Sequence, residues 1–247
     1  QVSKIQKKGR QLARELPFSG DGLKRTLAIG PVENLTAYQH HPFEVQLRDR
    51  LSQALGVGCP LVLMPPDGDG VVQETLAAVQ RREANAGGPA NLVLAEAGRQ
   101  AGLNAILTAA LTEISATRQD KGILWYKDTY TYLRVRVSVV VYDTATGAKL
   151  LDETSEHRTQ VDEMDGFDPL RSEDLMLPSV RTALDLLADS AAERVCERLH
   201  ALSWRGFIVA READRLVLSS GAAIGLKPGT VLEIFDDSAT IEGAQGQ

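Results

Sequence analysis

The chain has 247 residues, of which 43% are hydrophobic and 24% are charged. This balance is typical of a globular protein with a sizeable core, in one large domain or two modest ones. The net charge of −6 argues against nucleic acid as the main partner, because phosphate contacts need clustered positive charge. No run approaches the ~18 apolar residues that a membrane-spanning helix requires.

Residues 1–24 are predicted to form a basic helical extension that ends in a linker at Gly20–Gly22. The simplest interpretation is a solvated helix, and the alternative is contact with an acidic membrane surface or an acidic partner. The chain begins with Gln1, so we expect that an upstream segment has been removed; whether it held a signal peptide or a lipid anchor stays open. The basic residues are Lys4, Lys7, Lys8, Arg10, Arg14 and Lys24, against Glu15 and Asp21.

Residues 25–102 are predicted to alternate between strands and helices. The apolar segment "TLAIGPV" predicts a strand that runs into a corner at "PVENLT", where Pro31 and Asn34 are expected to shape the turn. The first helix carries an apolar stripe formed by Phe43, Leu47, Leu51 and Leu55. After the first strand the predicted order is therefore helix (41–55), strand (59–66), helix (71–83) and helix (92–102).

Residues 103–160 are predicted to form three long antiparallel strands. From 133 to 141 every second residue is Leu or Val, which is the period of a strand with one buried face. The polar run "QDKG" at 119–122 is predicted to be the first turn, and "TATG" at 144–147 the second. The longest helix follows, and its stripe of apolar residues from Leu177 to Leu202 should lie on the sheet.

Residues 203–247 are predicted to form a small β-barrel-like domain. Its expected strands are "FIVA", "RLVLSS" and "VLEIFD", and Pro228-Gly229 suits the centre of a type II turn. Three strands are few for independent stability, so we expect the natural chain to continue.

The sequence carries no phosphate-binding loop, dinucleotide-binding glycine motif, nucleophile elbow or zinc-protease helix. We therefore predict no catalytic residues, no cofactor and no metal site, and a protein that is not an enzyme. His40 and His41 are adjacent, so their side chains diverge and favour a helix start over a metal site. The acidic stretch between Asp162 and Asp174 lacks the spacing of a calcium-binding loop and is interpreted as a solvated loop.

Two further groups of residues have alternative interpretations. Cys59 and Cys196 could form one disulfide or remain two buried free thiols. An aromatic group on the second long strand could serve ordinary sheet packing or dock a partner protein, since Trp and Tyr are common interface anchors. Its members are Trp125, Tyr126, Tyr130 and Tyr132.

The order of elements in residues 25–202 resembles the TolB amino-terminal-domain family and the curli-secretion lipoprotein family. The similarity rests on "TLAIGPVENLT", "AGLNAILTAALTEI" and "VVVYDTATGAKLLDE". The segment "RLVLSSGAAIGLKPGTVLEIFD" is similar to the β unit that follows a TolB-like domain in flagellar T-ring assembly proteins. The resemblance implies an α/β fold of the α+β type: a mixed sheet with long antiparallel strands covered by helices, followed by a small all-β domain.

The resemblance also implies a function in the cell envelope. We expect a non-enzymatic periplasmic assembly or docking protein, most similar to a flagellar basal-body ring component, with other envelope proteins as partners. Homo-oligomers and peripheral association with the outer membrane fit the same expectation. The alternative is an envelope lipoprotein that activates or regulates a cell-wall enzyme or forms part of a secretion assembly. A hydrolase assembled from scattered residues is the third hypothesis.

Overall fold

The computed structural model describes residues 22–64, 90–123, 126–161 and 173–235. The helices predicted at 1–16 and 71–83, the acidic residues 162–172 and Trp125 lie outside these ranges. In chain order the elements are β1 (Arg25–Asn34), α1 (Phe43–Gly58), β2 (Leu61–Met64), α2 (Ala90–Gln100), β3 (Ala105–Ile123), β4 (Tyr126–Asp143), β5 (Lys149–Val161), α3 (Glu173–His200), β6 (Ile208–Glu212) and β7 (Arg215–Leu218).

The centre of the fold is a five-stranded sheet with the order β2-β1-β3-β4-β5. β1 pairs in parallel with both β2 and β3, whereas β3, β4 and β5 pair in antiparallel fashion. Parallel neighbours need a crossover, and α1 supplies it between β1 and β2. A separate two-stranded antiparallel sheet is formed by β6 and β7. The predicted fold class, a mixed sheet with helices followed by a small β part, is confirmed.

One face of the sheet is covered by α1 and α3. The alternating residues of β4 that face these helices, Leu133 to Val141, are at most 3% exposed, as the period-two pattern predicted. The predicted stripe of α1 is also buried, with Phe43 at 3% and Leu47, Leu51 and Leu55 at 0%. Among the described residues, the opposite face, called here the outer face, is covered by α2 around Ala28 and Ile106.

The first strand is longer than predicted, because it passes through the expected corner. β1 continues through Gly30 and Pro31 to Asn34, with a register shift against β3 between Ile29 and Val32. A bulge tolerates a proline in a strand, and β2 pairs with β1 only as far as Ala28. The turn therefore begins at Asn34, whose Oδ1 accepts hydrogen bonds from the Thr36 backbone N–H at 3.1 Å and hydroxyl at 2.7 Å.

The predicted turn at residues 119–122 is wrong, since all four residues belong to β3. Gln119 lies opposite Tyr130 in the register, and Gly122 lies opposite Lys127. The β3–β4 hairpin therefore extends to Ile123 and Tyr126, and Trp125 belongs to the two residues between them. A polar run was interpreted as a turn, but a strand that faces water on both sides needs no apolar residues to remain paired.

The carboxyl-terminal part packs against the end of the sheet where β1 begins. The Lys24 backbone N–H donates to the Ile224 carbonyl oxygen at 2.8 Å, and Ile224 is 1% exposed. Gly102 has a φ of +71°, and a Cβ there would lie 2.9 Å from Ser219. Residues 231–235 are not in a strand, contrary to the prediction, because no described strand lies beside them. The barrel-like domain predicted for 203–247 stays a prediction.

Candidate docking site

The outer part of the β3–β4 hairpin extends beyond the other strands of the sheet. The pairing of β1 with β3 ends at Leu111, and the pairing of β5 with β4 ends at Thr131. From Gln119 to Tyr130 the two strands are paired only with each other among the described residues. We call residues 119–130 the arm. At ~3.4 Å per residue its five pairs extend the hairpin by about 17 Å.

The described side chains of the arm and its base are polar and accessible to water. Thr117, Arg118, Gln119 and Asp120 are all exposed, and they are consecutive in β3. A strand packed on one face would bury every second residue, so this stretch packs on neither face. The polar sequence that suggested a turn is therefore the signature of a projecting strand.

Three of the four predicted docking aromatics belong to β4, in the arm and beside it. Trp125 lies outside the described residues, and the Tyr126 backbone pairs with Ile123 at the far end of the arm. Tyr130 is half-buried in the last pair of the arm. Tyr132 lies beyond the arm, with the Arg158 guanidinium carbon 4.4 Å from its ring centroid. Tyr130 and Tyr132 are two positions apart and therefore lie on one face of β4. Their docking role stays a prediction.

Next to the arm, ion pairs cross the outer face of three strands. Arg136 on β4 lies 3.1 Å from Glu113 on β3 and 2.9 Å from Glu156 on β5. Arg134 adds a contact of 3.3 Å to Glu156. The Ser115 hydroxyl donates to Glu113 at 2.6 Å, and this bond lowers the pKa of Glu113, assisted by Arg136 and Arg134 and opposed by partial burial.

Sequence reasoning did not find these ion pairs. Each one joins strands that are distant in the chain, so the register of the strands decides which residues meet. The available signal was the alternation of polar residues (Arg134, Arg136 and Ser138) with apolar ones. It indicated that one face of the strand is polar, but it did not identify the residues that pair with the arginines.

Cys59 and Cys196 are joined in a disulfide, with Cα atoms 5.6 Å apart. Of the two alternatives left open by the sequence, the structure has the bond and not the free thiols. Cys59 follows the last residue of α1, and Cys196 lies in the last turns of α3, so the bond ties the two helices that cover the sheet. The same helices are joined by the Arg50–Asp189 ion pair at 2.6 Å. This hydrogen-bonded contact with Asp189 raises the pKa of Arg50.

The four histidines that sequence analysis weighed for metal binding or catalysis lie in three parts of the structure. The rings of His40 and His41 lie 4.2 Å apart at the loop before α1, whereas His157 lies on β5 and His200 ends α3. Among the described residues, no three side chains of the His, Cys, Asp or Glu type are grouped to hold a metal ion. A search of the same residues finds no helix that is long and apolar enough to cross a membrane.

No protein-family model matches the chain, and no curated protein matches its sequence. Its fold is similar to the hypothetical protein CT253 from Chlamydia trachomatis, with 15% identity, TM-score 0.46, and coverage of 71% of this chain and 95% of that one. Lipoprotein GNA1162 from Neisseria meningitidis has 15% identity, TM-score 0.37 and coverage of 70% and 99%. The PelC dodecamer from Paraburkholderia phytofirmans has 12% identity, TM-score 0.34 and coverage of 68% and 85%. At these TM-scores the likenesses carry no functional conclusion for this chain.

Proposed function

We propose that this chain is a non-catalytic docking or assembly protein of the bacterial envelope, and that a partner protein binds it through the arm. The observation that carries the proposal is the extension of β3 and β4 beyond every other described strand. A two-stranded ribbon that extends beyond the rest of its sheet has two edge strands, and edge strands are templates for pairing with another chain. Tyr126 and Tyr130 add the residue type that most often anchors protein interfaces.

The disulfide supports a location outside the cytoplasm. Disulfides persist in oxidising compartments such as the periplasm and are rare where thioredoxin and glutathione keep thiols reduced. Both cysteines of the chain are used in the Cys59–Cys196 bond, which joins residues 137 positions apart. Periplasmic location, with or without association with the outer membrane, is therefore part of the proposal.

A finer assignment follows from the resemblance of residues 25–202 and 215–236 given above. Within the proposed class, the chain is a component of a ring around the flagellar basal body. The alternative within the same class is a protein that activates or regulates a cell-wall enzyme or a secretion assembly. Both use a docking surface and no catalytic site, so phenotype separates them better than structure does.

The proposal is tested by deleting the gene and restoring it in three forms. The first is the unaltered chain. The second replaces residues 119–130 with Asn-Gly, which closes the hairpin between Arg118 and Thr131 by a two-residue turn. The third keeps the arm and carries Trp125→Ala and Tyr126→Ala. Swimming in soft agar and resistance to detergent are measured, and circular dichroism checks that each purified variant unfolds at the same temperature.

We expect the deletion to abolish swimming, the unaltered chain to restore it, and the shortened arm to fail although it folds. The double alanine variant distinguishes two contributions to partner binding: that of the aromatic side chains and that of the backbone edges of the arm. Loss of envelope integrity with normal swimming would replace the ring assignment with the regulatory one. Full restoration by the shortened arm would show that partners bind elsewhere, and a deletion without any envelope phenotype would reject the proposed function.

A further inference from the structure

β5 forms one edge of the sheet, and this edge is unusually long and regular. Among the described residues no strand pairs with its outer side. The other edge strand, β2, has four residues, whereas β5 has thirteen and contains no proline. Its pairing with β4 runs without a register shift from Leu151 to Val161. Proteins usually interrupt such edges with short strands, bulges or prolines, because a regular edge pairs readily with another strand.

From the charge pattern of β5, we propose that two copies of the chain pair through their β5 strands in antiparallel register, with Ser155 at the twofold axis. This pairing would join two five-stranded sheets into one continuous sheet of ten strands. The interface is isologous, so every contact occurs twice. At ~3.4 Å per residue the nine-residue ladder from Leu151 to Thr159 would be roughly 30 Å long. The inference does not depend on the proposed function, because β5 lies outside the arm.

Symmetry restricts the registers that two β5 strands can adopt. The twofold axis of an antiparallel pair runs perpendicular to the sheet and keeps the two faces of the sheet distinct. Residues that lie opposite each other must therefore be an even number of positions apart, since only then do their side chains share a face. Each allowed register is centred on one residue of β5.

The register centred on Ser155 pairs opposite charges on the outer face. Asp152 lies opposite Arg158 of the second copy, and both side chains are exposed in the single chain. The Asp152 carboxylate already binds Lys149 at 2.6 Å, so Arg158 of the second copy would meet it from the other side. Opposite charges at directly opposed positions stabilise a strand pair.

On the face covered by α3, the same register places Glu153 opposite His157. The Glu153 carboxylate binds the Arg194 side chain at 2.7 Å and has a remaining oxygen to accept a hydrogen bond. β5 has a bulge at Leu150, so the regular ladder of this register runs from Leu151 to Thr159, and no position of it has like charges opposed. Both faces of the interface are therefore compatible with the pairing.

The neighbouring registers are less favourable. Centring on Thr154 opposes Asp152 to Glu156 twice, and centring on Glu153 or Glu156 opposes that carboxylate to its own copy. Centring on His157 pairs Glu156 with Arg158, but it opposes the two histidines and leaves Asp152 beyond the end of the opposed β5 strand. Like charges at opposed positions destabilise a strand pair, so the charge pattern selects the Ser155 register.

The geometry predicts what such a dimer presents to other proteins. β5 pairs with β4 only between Thr131 and Tyr142, so the arm remains outside the interface. The twofold axis reverses the strand direction, and the two arms therefore point in opposite directions along the sheet. One dimer would carry two separated docking arms.

The test exchanges the charges that the register opposes. Asp152→Arg and Arg158→Asp, made singly, each oppose like charges twice, whereas the double exchange restores attraction. Sedimentation velocity over a range of concentrations measures the dimer dissociation constant. We expect each single exchange to raise it about tenfold or more, and the double exchange to return it to within about threefold of the unaltered chain. As the control, Asp214→Arg with Arg215→Asp exchanges an exposed pair far from β5 and should leave the constant unchanged.

A second measurement fixes the register. Both natural cysteines are in the disulfide, so Ser155→Cys introduces the only free thiol, and the register places it opposite its own copy. We expect this variant to form an intermolecular disulfide on mild oxidation. Under the same conditions Gln160→Cys should convert at most a small fraction of the chains to disulfide-linked dimers. A chain that stays monomeric at every concentration would overturn the inference, as would a dimer that ignores the exchanges or is crosslinked faster at 160 than at 155.

Discussion

The base and the arm of the β3–β4 hairpin are continuous in sequence but differ in their surroundings. At the base, Leu111 and Leu133 are fully buried between neighbouring strands and beneath α1 and α3. In the arm, the two strands are paired only with each other among the described residues, and Gln119 and Asp120 are exposed. The comparison teaches that one hairpin can contribute to the core with one end and extend beyond the other described strands with the other. A change in one part should therefore leave the property of the other unchanged.

The largest effect is expected for Leu133→Ala at the base. Leu133 is 0% exposed, and a buried leucine truncated to alanine leaves a cavity that neighbouring side chains fill only partly. The free energy of unfolding should fall by about 2–5 kcal/mol in urea denaturation. The matched variant Gln119→Ala, on the exposed arm, should change it by less than about 0.5 kcal/mol. Similar losses in the two variants would contradict the separation of base and arm.

An intermediate effect is expected when the disulfide is removed by Cys59→Ser together with Cys196→Ser. The bond constrains the unfolded chain over a separation of 137 residues and holds α1 to α3 over the base. Stability should fall by about 2–4 kcal/mol. A reductant added to the unaltered chain should reproduce this loss, and it should have no effect on the double variant.

Amide hydrogen exchange measures the effect of removing the disulfide on the base and on the arm separately. The base should exchange faster when the bond is absent, because its covering helices are less firmly held. The arm lies beyond the described pairing of β3 and β4 with the other strands, so its exchange rates should stay the same. Faster exchange confined to the arm would show that the disulfide acts on a different part of the molecule.

The parts of the fold that were predicted correctly are those in which side-chain periodicity reports burial. The alternation from Leu133 to Val141 identified β4, and the stripe from Phe43 to Leu55 identified α1, because each has one face against the core. The arm has no buried face, so the same reasoning assigned residues 119–122 to a turn. The end of β1 was also predicted wrongly, because proline usually ends a strand. Pro31 lies at a bulge and beyond the described pairing of β1 with β2, where a strand tolerates proline.

Contacts between distant strands were beyond prediction, since they depend on register. Arg136 meets Glu113 and Glu156 only because a bulge between Leu111 and Glu113 sets the pairing of β3 with β4. The cysteine pair was weighed as one of two alternatives because the sequence gives no distance between α1 and α3. The candidate docking residues were chosen for their type, and the position of Tyr126 and Tyr130 in a projecting ribbon required the structure.

The smallest expected effect concerns Glu113, which lies where the base gives way to the arm. The Ser115 hydroxyl, and then Arg136 and Arg134, lower its pKa in the folded chain, so its carboxylate stabilises the fold at neutral pH. A lowered pKa contributes stability above the unfolded value and loses it as pH falls through the folded value. The difference in stability between the unaltered chain and Glu113→Gln should therefore shrink between about pH 5 and pH 3. Urea denaturation at several pH values measures it, and salt should reduce it because the pairs are exposed.

Ser115→Ala distinguishes the hydrogen bond from the arginines as the source of this effect. If the hydroxyl is the larger cause, its removal should weaken the pH dependence more than Arg134→Gln does. The opposite order would assign the effect to the ion pairs across the outer face. A difference between the unaltered chain and Glu113→Gln that grows on acidification would mean that the folded chain raises the pKa of this carboxyl group. In that case the outer face next to the arm would oppose charge on Glu113, and the description of that face as a set of favourable ion pairs would be wrong.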